Sequence, residues 1–240
     1  PIGNPSERNG GIAMKHQVSI LSDRYPLVKD VGVAMTPVTW SHPDHCLDTH
    51  VLVFIISGTL EVWEDDTEYF IEQSEVFFMK KGIRHWGERK TLPGTAWYWI
   101  HFDEPPNVDL SQYEEADKNY DIARLSAQEN VTFKITLPKR IKVHQSQYVE
   151  HTLKKMLELY RSQVPLRSMM LSVHTAKLLL ELYQQSIREK KMTKLDRTVE
   201  KITEAVERHV DNKFDSSVIA ESLNLNYNYL STVFKEKMGI

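Results

Sequence analysis

The sequence predicts an α+β chain: an N-terminal antiparallel β-barrel or sandwich, then linker helices, then an all-α segment. Three observations carry this. Residues 31–102 are dense in Val, Ile, Phe and Trp and are cut at short intervals by turn signals. From Gln145 onward the apolar period becomes helical. The last stretch reads as short helix, tight turn, short helix. Strands first and helices after is the order of segregated α+β parts rather than of an alternating α/β fold.

The turn signals are Ser57-Gly58, Asp65-Asp66, Lys81-Gly82 and Pro93-Gly94. Between them lie VLVFII, TLEVWE, YFIE and VFFM, which read as consecutive strands of a barrel or sandwich. On the closing strand WYWIHF, alternation puts Trp97, Trp99 and His101 on one face and Tyr98, Ile100 and Phe102 on the other. Two indoles and an imidazole are costly as sealed core, because each ring N–H needs a partner. They suit a pocket wall, where an indole stacks on a small ring and a few polar groups orient it.

Residues 105–144 form a polar, Pro-containing connector with only two short apolar runs, ITL and IKV. Helices are predicted over 146–160 and 166–190, parted by Pro165. The first carries Leu153, Met156, Leu157 and Tyr160 at helical spacing. Near the end, Leu195, Val199, Ile202, Val206 and Val210 mark a further helix. Two short helices then flank residues 224–226. Asn224 can take the left-handed turn conformation and Asn226 stands where an N-cap belongs. On the last helix Leu230, Phe234 and Met238 share one face, while Asn226, Tyr227, Asn228, Ser231, Thr232 and Lys235 make up its polar side.

Composition narrows the function classes. At 240 residues, 41% hydrophobic and 26% charged, the chain suits one or two globular domains, and a net charge of −3 announces no polyanionic partner. The single cysteine, Cys46, rules out an internal disulfide and fits a reducing, cytoplasmic setting; beside His45 it reads as packing rather than a nucleophile. The longest apolar run, at 51–56, is far short of the roughly 20 residues that span a bilayer. Residues 1–13, rich in Gly, Pro and Asn, read as a leader or disordered tail. No GxSxG, HExxH or phosphate-binding glycine loop is present, so no catalytic residue is assigned.

The segment FDSSVIAESLNLNYNYLSTVFKEKMGI resembles the first helix-turn-helix of AraC/XylS-type transcription regulators. Ile219-Ala220, Tyr229-Leu230-Ser231, Phe234-Lys235 and Gly239 match its pattern, with Asn224 for the turn glycine, Asn226 for the serine cap and Thr232 for an arginine. The earlier DHCLDTHVLVFIISGTLEVWEDDTEYFIEQSEVFFMKKGIRHWG resembles the cupin-like sensor barrel of the same family. The resemblance implies a ligand-responsive DNA-binding regulator divided as 1–13 tail, 14–105 sensor barrel, 106–193 connector and dimerisation helices, and 194–240 first helix-turn-helix. A second helix-turn-helix is expected to be missing.

It further implies a sugar or related metabolite as effector, held by His85 and Trp99 with Trp97, His45 and His101. Asn226, Tyr227, Asn228, Ser231, Thr232 and Lys235 would face DNA. A symmetric homodimer would form through the linker helices, with Leu153, Leu157 and Leu180 as candidate contacts. The rival is a cupin-fold metal-dependent enzyme acting on a sugar. Its four ligand positions fall at His45, Leu47, Val51 and His85, so two of four survive, and alternation sets His42 and His50 on the face opposite His45. No metal and no cofactor are therefore expected.

Overall fold

A computed structural model of the chain describes residues 16–104, 109–116 and 132–192, with residues 196, 198, 199, 202, 203, 226, 228, 232 and 235 beyond them. Eleven strands and two long helices follow in order among the described residues. The strands are β1 (Ser19–Leu21), β2 (Leu27–Met35), β3 (His45–Cys46), β4 (His50–Ser57), β5 (Thr59–Glu64) and β6 (Thr67–Glu72). After them come β7 (Glu75–Met79), β8 (Arg84–Trp86), β9 (Ala96–Asp103), β10 (Lys134–Thr136) and β11 (Arg140–Lys142). The helices are α1 (Ser146–Arg161) and α2 (Arg167–Lys191). None of the described helices is long and apolar enough to cross a membrane.

Two sheets face one another. One has the order β11-β7-β4-β9-β2 and the other β3-β8-β5-β6, and the strand pairs within them are antiparallel. Between them lies an apolar layer of Val51, Val53, Ile55, Leu60, Val62, Ile71, Phe77 and Met79. The five-stranded sheet is covered on its other face as well. There Leu52, Phe54, Val76, Phe78, Ile100 and Phe102 pack with Leu153 and Met156 of α1 and with Leu178, Leu179 and Leu182 of α2. This double burial explains why β4 and β7 read as unbroken apolar runs instead of alternating ones. The four foreseen turns all carry a left-handed residue, at Gly58, Asp65, Gly82 and Gly94.

α1 buries Val149, Leu153, Met156 and Leu157, a stripe at i, i+4, i+7 and i+8. Leu153 is 0% exposed and Leu157 6%, so both are spent inside the chain, which corrects their assignment as dimer contacts. Leu180 remains 40% exposed, beside Met169, Met170 and Val173 on the open face of α2. The supposed connector is also more than a linker. Its ITL run contributes to β10, paired with β1, and its IKV run contributes to β11, paired with β7 at the sheet edge. Between those strands Lys139 reaches Glu64 on β5, whose side chain is fully buried, in an ion pair that joins this segment to the second sheet. The compact unit accordingly continues through Ser186.

The helix-turn-helix expectation falls almost wholly outside the described residues, Tyr227 and Ser231 included, as does the 1–13 tail. Of the described positions, Asn226 accepts the Asn228 backbone N–H through Oδ1 at 2.8 Å, which is N-cap geometry. Asn228, Thr232 and Lys235 are helical and exposed. The Thr232 hydroxyl donates to the carbonyl of Asn228, one turn back.

Candidate functional site

Where the inter-sheet layer runs out toward one end, a cavity of about 450 Å³ opens. Its walls come from β2 (Asp30, Ala34, Met35), the segment Thr36–Pro43, β3, β4, β8 and β9. The three alternate positions of β9, Trp97, Trp99 and His101, all line it, and so do His45 and His85. Tyr98, Ile100 and Phe102 point the other way, into the helix-covered core. The five residues singled out from the sequence therefore share one cavity.

Trp99 stands in that wall for two reasons. Its strand partner is Gly32 on β2, and the missing side chain there is the space the indole occupies. Its Nε1–H donates to Oδ2 of Asp30 at 2.6 Å, which answers the donor that a sealed core would have orphaned. A hydrogen bond from Tyr160 on α1 to that same carboxylate raises the Tyr160 hydroxyl above its ordinary value. Trp97 lies against Trp40, ring centroids 5.2 Å apart. Trp40 is held over the cavity by a two-way backbone bridge, donating to the Thr91 carbonyl at 3.1 Å and accepting from the Thr91 N–H at 2.6 Å.

The floor is imidazole. His45 on β3 and His85 on β8 are direct cross-strand partners, so they share a face, and their rings lie 4.4 Å apart. His42 joins them at 5.2 Å from His45 and 5.3 Å from His85. This corrects the expectation that alternation carries His42 to the opposite face. Residues 41–44 are not strand, and alternation does not apply where the pleat is absent. Burial lowers His42, His45 and His101 below the usual histidine value and brings His85 down to about 4, so the floor is neutral at pH 7. His85 is 1% exposed and its Nε2 has no hydrogen-bond partner among the described residues. An unmet buried acceptor costs about 1–3 kcal/mol, a cost a bound group could remove.

Two other residues land elsewhere. His50 is buried away from the cavity with both nitrogens engaged: Nε2 donates to Oε1 of Glu104 at 3.0 Å, and Nδ1 accepts the Lys81 backbone N–H at 3.2 Å. It is a satisfied core group, as the alternation on β4 suggested. Cys46 is exposed, not packed. Sequence reasoning missed Asp30, Trp40 and His42 as cavity residues. Only the TW-x-H run before β3 hinted at the last two, since both sit outside regular strand.

Comparison with known proteins finds one matching family and several remote similarities. Residues 31–118 match the family described as AraC-like ligand binding domain. The chain is 23% identical over 149 residues to the uncharacterized HTH-type transcriptional regulator YisR of Bacillus subtilis (strain 168), covering 61% of this chain and 52% of that one. It thus spans about half the length of the curated relative it matches. Among solved structures, ToxT from Vibrio cholerae aligns at 14% identity and a TM-score of 0.33, covering 90% of this chain and 77% of that one. The cupin domain of Schizosaccharomyces pombe Cnp3 aligns at 20% identity and 0.28, covering 32% and 58%. The family match over residues 31–118 and the HTH-type relative bear out the resemblance to AraC/XylS-type regulators.

Proposed function

We propose that the chain is the sensor-bearing part of a cytoplasmic, ligand-responsive, DNA-binding transcription regulator, and that it is not an enzyme. The observation that carries this is the cavity itself: three indoles, Trp40, Trp97 and Trp99, around a small set of polar groups, Asp30, His45, His85 and His101. Flat apolar rings with a few hydrogen-bonding side chains suit a sugar or related metabolite, whose ring face stacks while its hydroxyls are oriented. An AraC-like ligand-binding domain and an HTH-type relative support the regulatory role. A thermal-shift screen of monosaccharides and sugar acids against the purified chain tests it. A ligand that stabilises the chain but not a Trp99→Ala variant is the expected result; stabilisation that survives Trp99→Ala moves the effector site elsewhere.

On the DNA side, the reading assigns the base-facing surface to Asn226, Tyr227, Asn228, Ser231, Thr232 and Lys235, since asparagine reads adenine edges and hydroxyls reach phosphates. Residues 194–240 carry seven Lys or Arg against eight Asp or Glu, a net charge of −1. Phosphate neutralisation supplies most non-specific affinity, so this chain should bind DNA weakly. Titration with the promoter of its own gene region at about 50 mM salt checks this, and nanomolar binding would overturn it. For assembly, a symmetric homodimer through the linker helices would meet at Met169, Met170, Val173 and Leu180, which are exposed on α2. A monomer in sedimentation at tens of micromolar removes the dimer.

A further inference from the structure

We propose that His42, His45 and His85 bind a first-row divalent transition-metal ion at the floor of the cavity, with at least one coordination position open to it. One ring nitrogen from each of the three lies within 4.8 Å of the other two. In a tetrahedral site with Zn–N bonds of roughly 2.0–2.1 Å, ligand nitrogens stand about 3.3 Å apart. The ring nitrogens must close by at most about 1.5 Å to reach that. His42 lies outside regular strand and His45 on the two-residue edge strand β3, both half-buried, which leaves them room for it.

The tautomers are already set for metal binding. Nδ1 of His85 contacts the Ile83 carbonyl at 3.1 Å, and Nδ1 of His42 contacts the Pro43 carbonyl at 2.9 Å. A carbonyl only accepts, so both Nδ1 atoms carry the proton and both Nε2 atoms keep a bare lone pair. Ligating histidines are held in this way, by a backbone oxygen on the nitrogen away from the metal. The buried Nε2 of His85 has no partner among the described residues. Gly87 completes the arrangement: a Cβ there would come within 2.8 Å of the His42 backbone nitrogen and Cβ, so glycine lets the His42 segment close on β8.

The donor set points to the class of ion. Three neutral imidazoles without a carboxylate suit zinc, nickel, copper or iron and offer nothing to calcium or magnesium. Three protein ligands leave a position facing the cavity, which water or an oxygen or nitrogen donor of a small ligand can take. The other compact group, His50, Asp103 and Glu104, fails on the same criteria. Both nitrogens of His50 are engaged, and the Lys81 ammonium already sits between the two carboxylates. The three imidazoles can take the ion whether the effector is a sugar or another molecule. His42 lies outside the cupin ligand spacing, which is why two of four positions looked like a lost site.

The test uses the whole chain, free of any affinity tag and stripped with EDTA. It is titrated with zinc chloride by calorimetry and with cobalt chloride by visible absorption. The expected result is one ion per chain at a Kd of about 1 µM or tighter, with the ligand-field bands of a low-coordinate cobalt site. His42→Ala and His45→Ala should each weaken zinc by more than about 100-fold, while His174→Ala, on the exposed face of α2, should not. His85→Ala removes a buried ring, so it is read only if its circular dichroism is native; the other two variants decide without it. Absence of stoichiometric zinc, or His42→Ala and His45→Ala binding as tightly as His174→Ala, overturns the proposal.

Discussion

A Cβ placed on Gly32 would stand 2.0 Å from Cζ2 of Trp99, so the indole that faces the cavity lies flat on the one residue of β2 that leaves it room. The same seat brings Nε1 within 2.6 Å of Asp30. Gly32→Ala should therefore displace the ring and destabilise the barrel by about 1–3 kcal/mol, the range for overpacking. The Trp99 indole N–H cross-peak, assigned through Trp99→Phe, reports it directly. An unmoved cross-peak in Gly32→Ala would mean the backbone gives way and the ring does not.

Trp99 is half-buried, with the cavity on one side. Trp99→Ala should cost about 1–2 kcal/mol, less than the 3–5 kcal/mol of a sealed aromatic, and should abolish effector binding. Trp99→Phe keeps the stacking face but loses the bond to Asp30, so weakened but measurable binding is expected. Urea unfolding separates the two outcomes. A loss of more than about 3 kcal/mol in Trp99→Ala would make Trp99 core and place the pocket elsewhere.

Glu64 is fully buried, and its salt bridge to Lys139 sets an attraction against two desolvated charges. Burial pushes the Lys139 ammonium down to about 8 and the Glu64 carboxyl up from its ordinary value, each restrained by the other. Lys139→Met alone should cost about 3–5 kcal/mol because it leaves the buried Glu64 with only the His16 ring, 3.7 Å away, as a side-chain ion partner among the described residues. Adding Glu64→Gln should recover most of that. A double-mutant cycle by chemical denaturation reads the coupling, and simple additivity would show that the pair is screened.

Acid should unfold this end of the barrel first through Glu104. Burial alone would raise its carboxyl, yet the hydrogen bond from His50 and the contacts with Lys81 hold it well below the ordinary 4.5. A depressed carboxyl binds its proton less readily folded than unfolded. Its contribution is thus complete above the ordinary value and is lost as pH falls below it. Denaturation between about pH 7 and pH 3 should show wild-type stability falling more steeply than that of Glu104→Gln. Parallel curves would assign the acid sensitivity to other carboxylates.

Periodicity and turn chemistry are local properties, and they were legible in the chain itself. Gly58, Asp65, Gly82 and Gly94, all with left-handed backbone, sit where turns are expected, and helices predicted at 146–160 and 166–190 are found at Ser146–Arg161 and Arg167–Lys191. Strict alternation also put Trp97, Trp99 and His101 on one face of β9, because a strand's period of two leaves no choice. What no local rule could supply was anything made by pairing distant segments or by irregular backbone. The short runs ITL and IKV became strands only because β1 and the edge of β7 offered them partners. The stripe with Leu153 and Leu157 was correctly helical, but only the packed sheet decided that it faces inward rather than toward a second subunit. His42 turned toward His45 and His85 because its backbone is not pleated and Gly87 lets it approach, a closeness set by three dimensions and invisible to spacing.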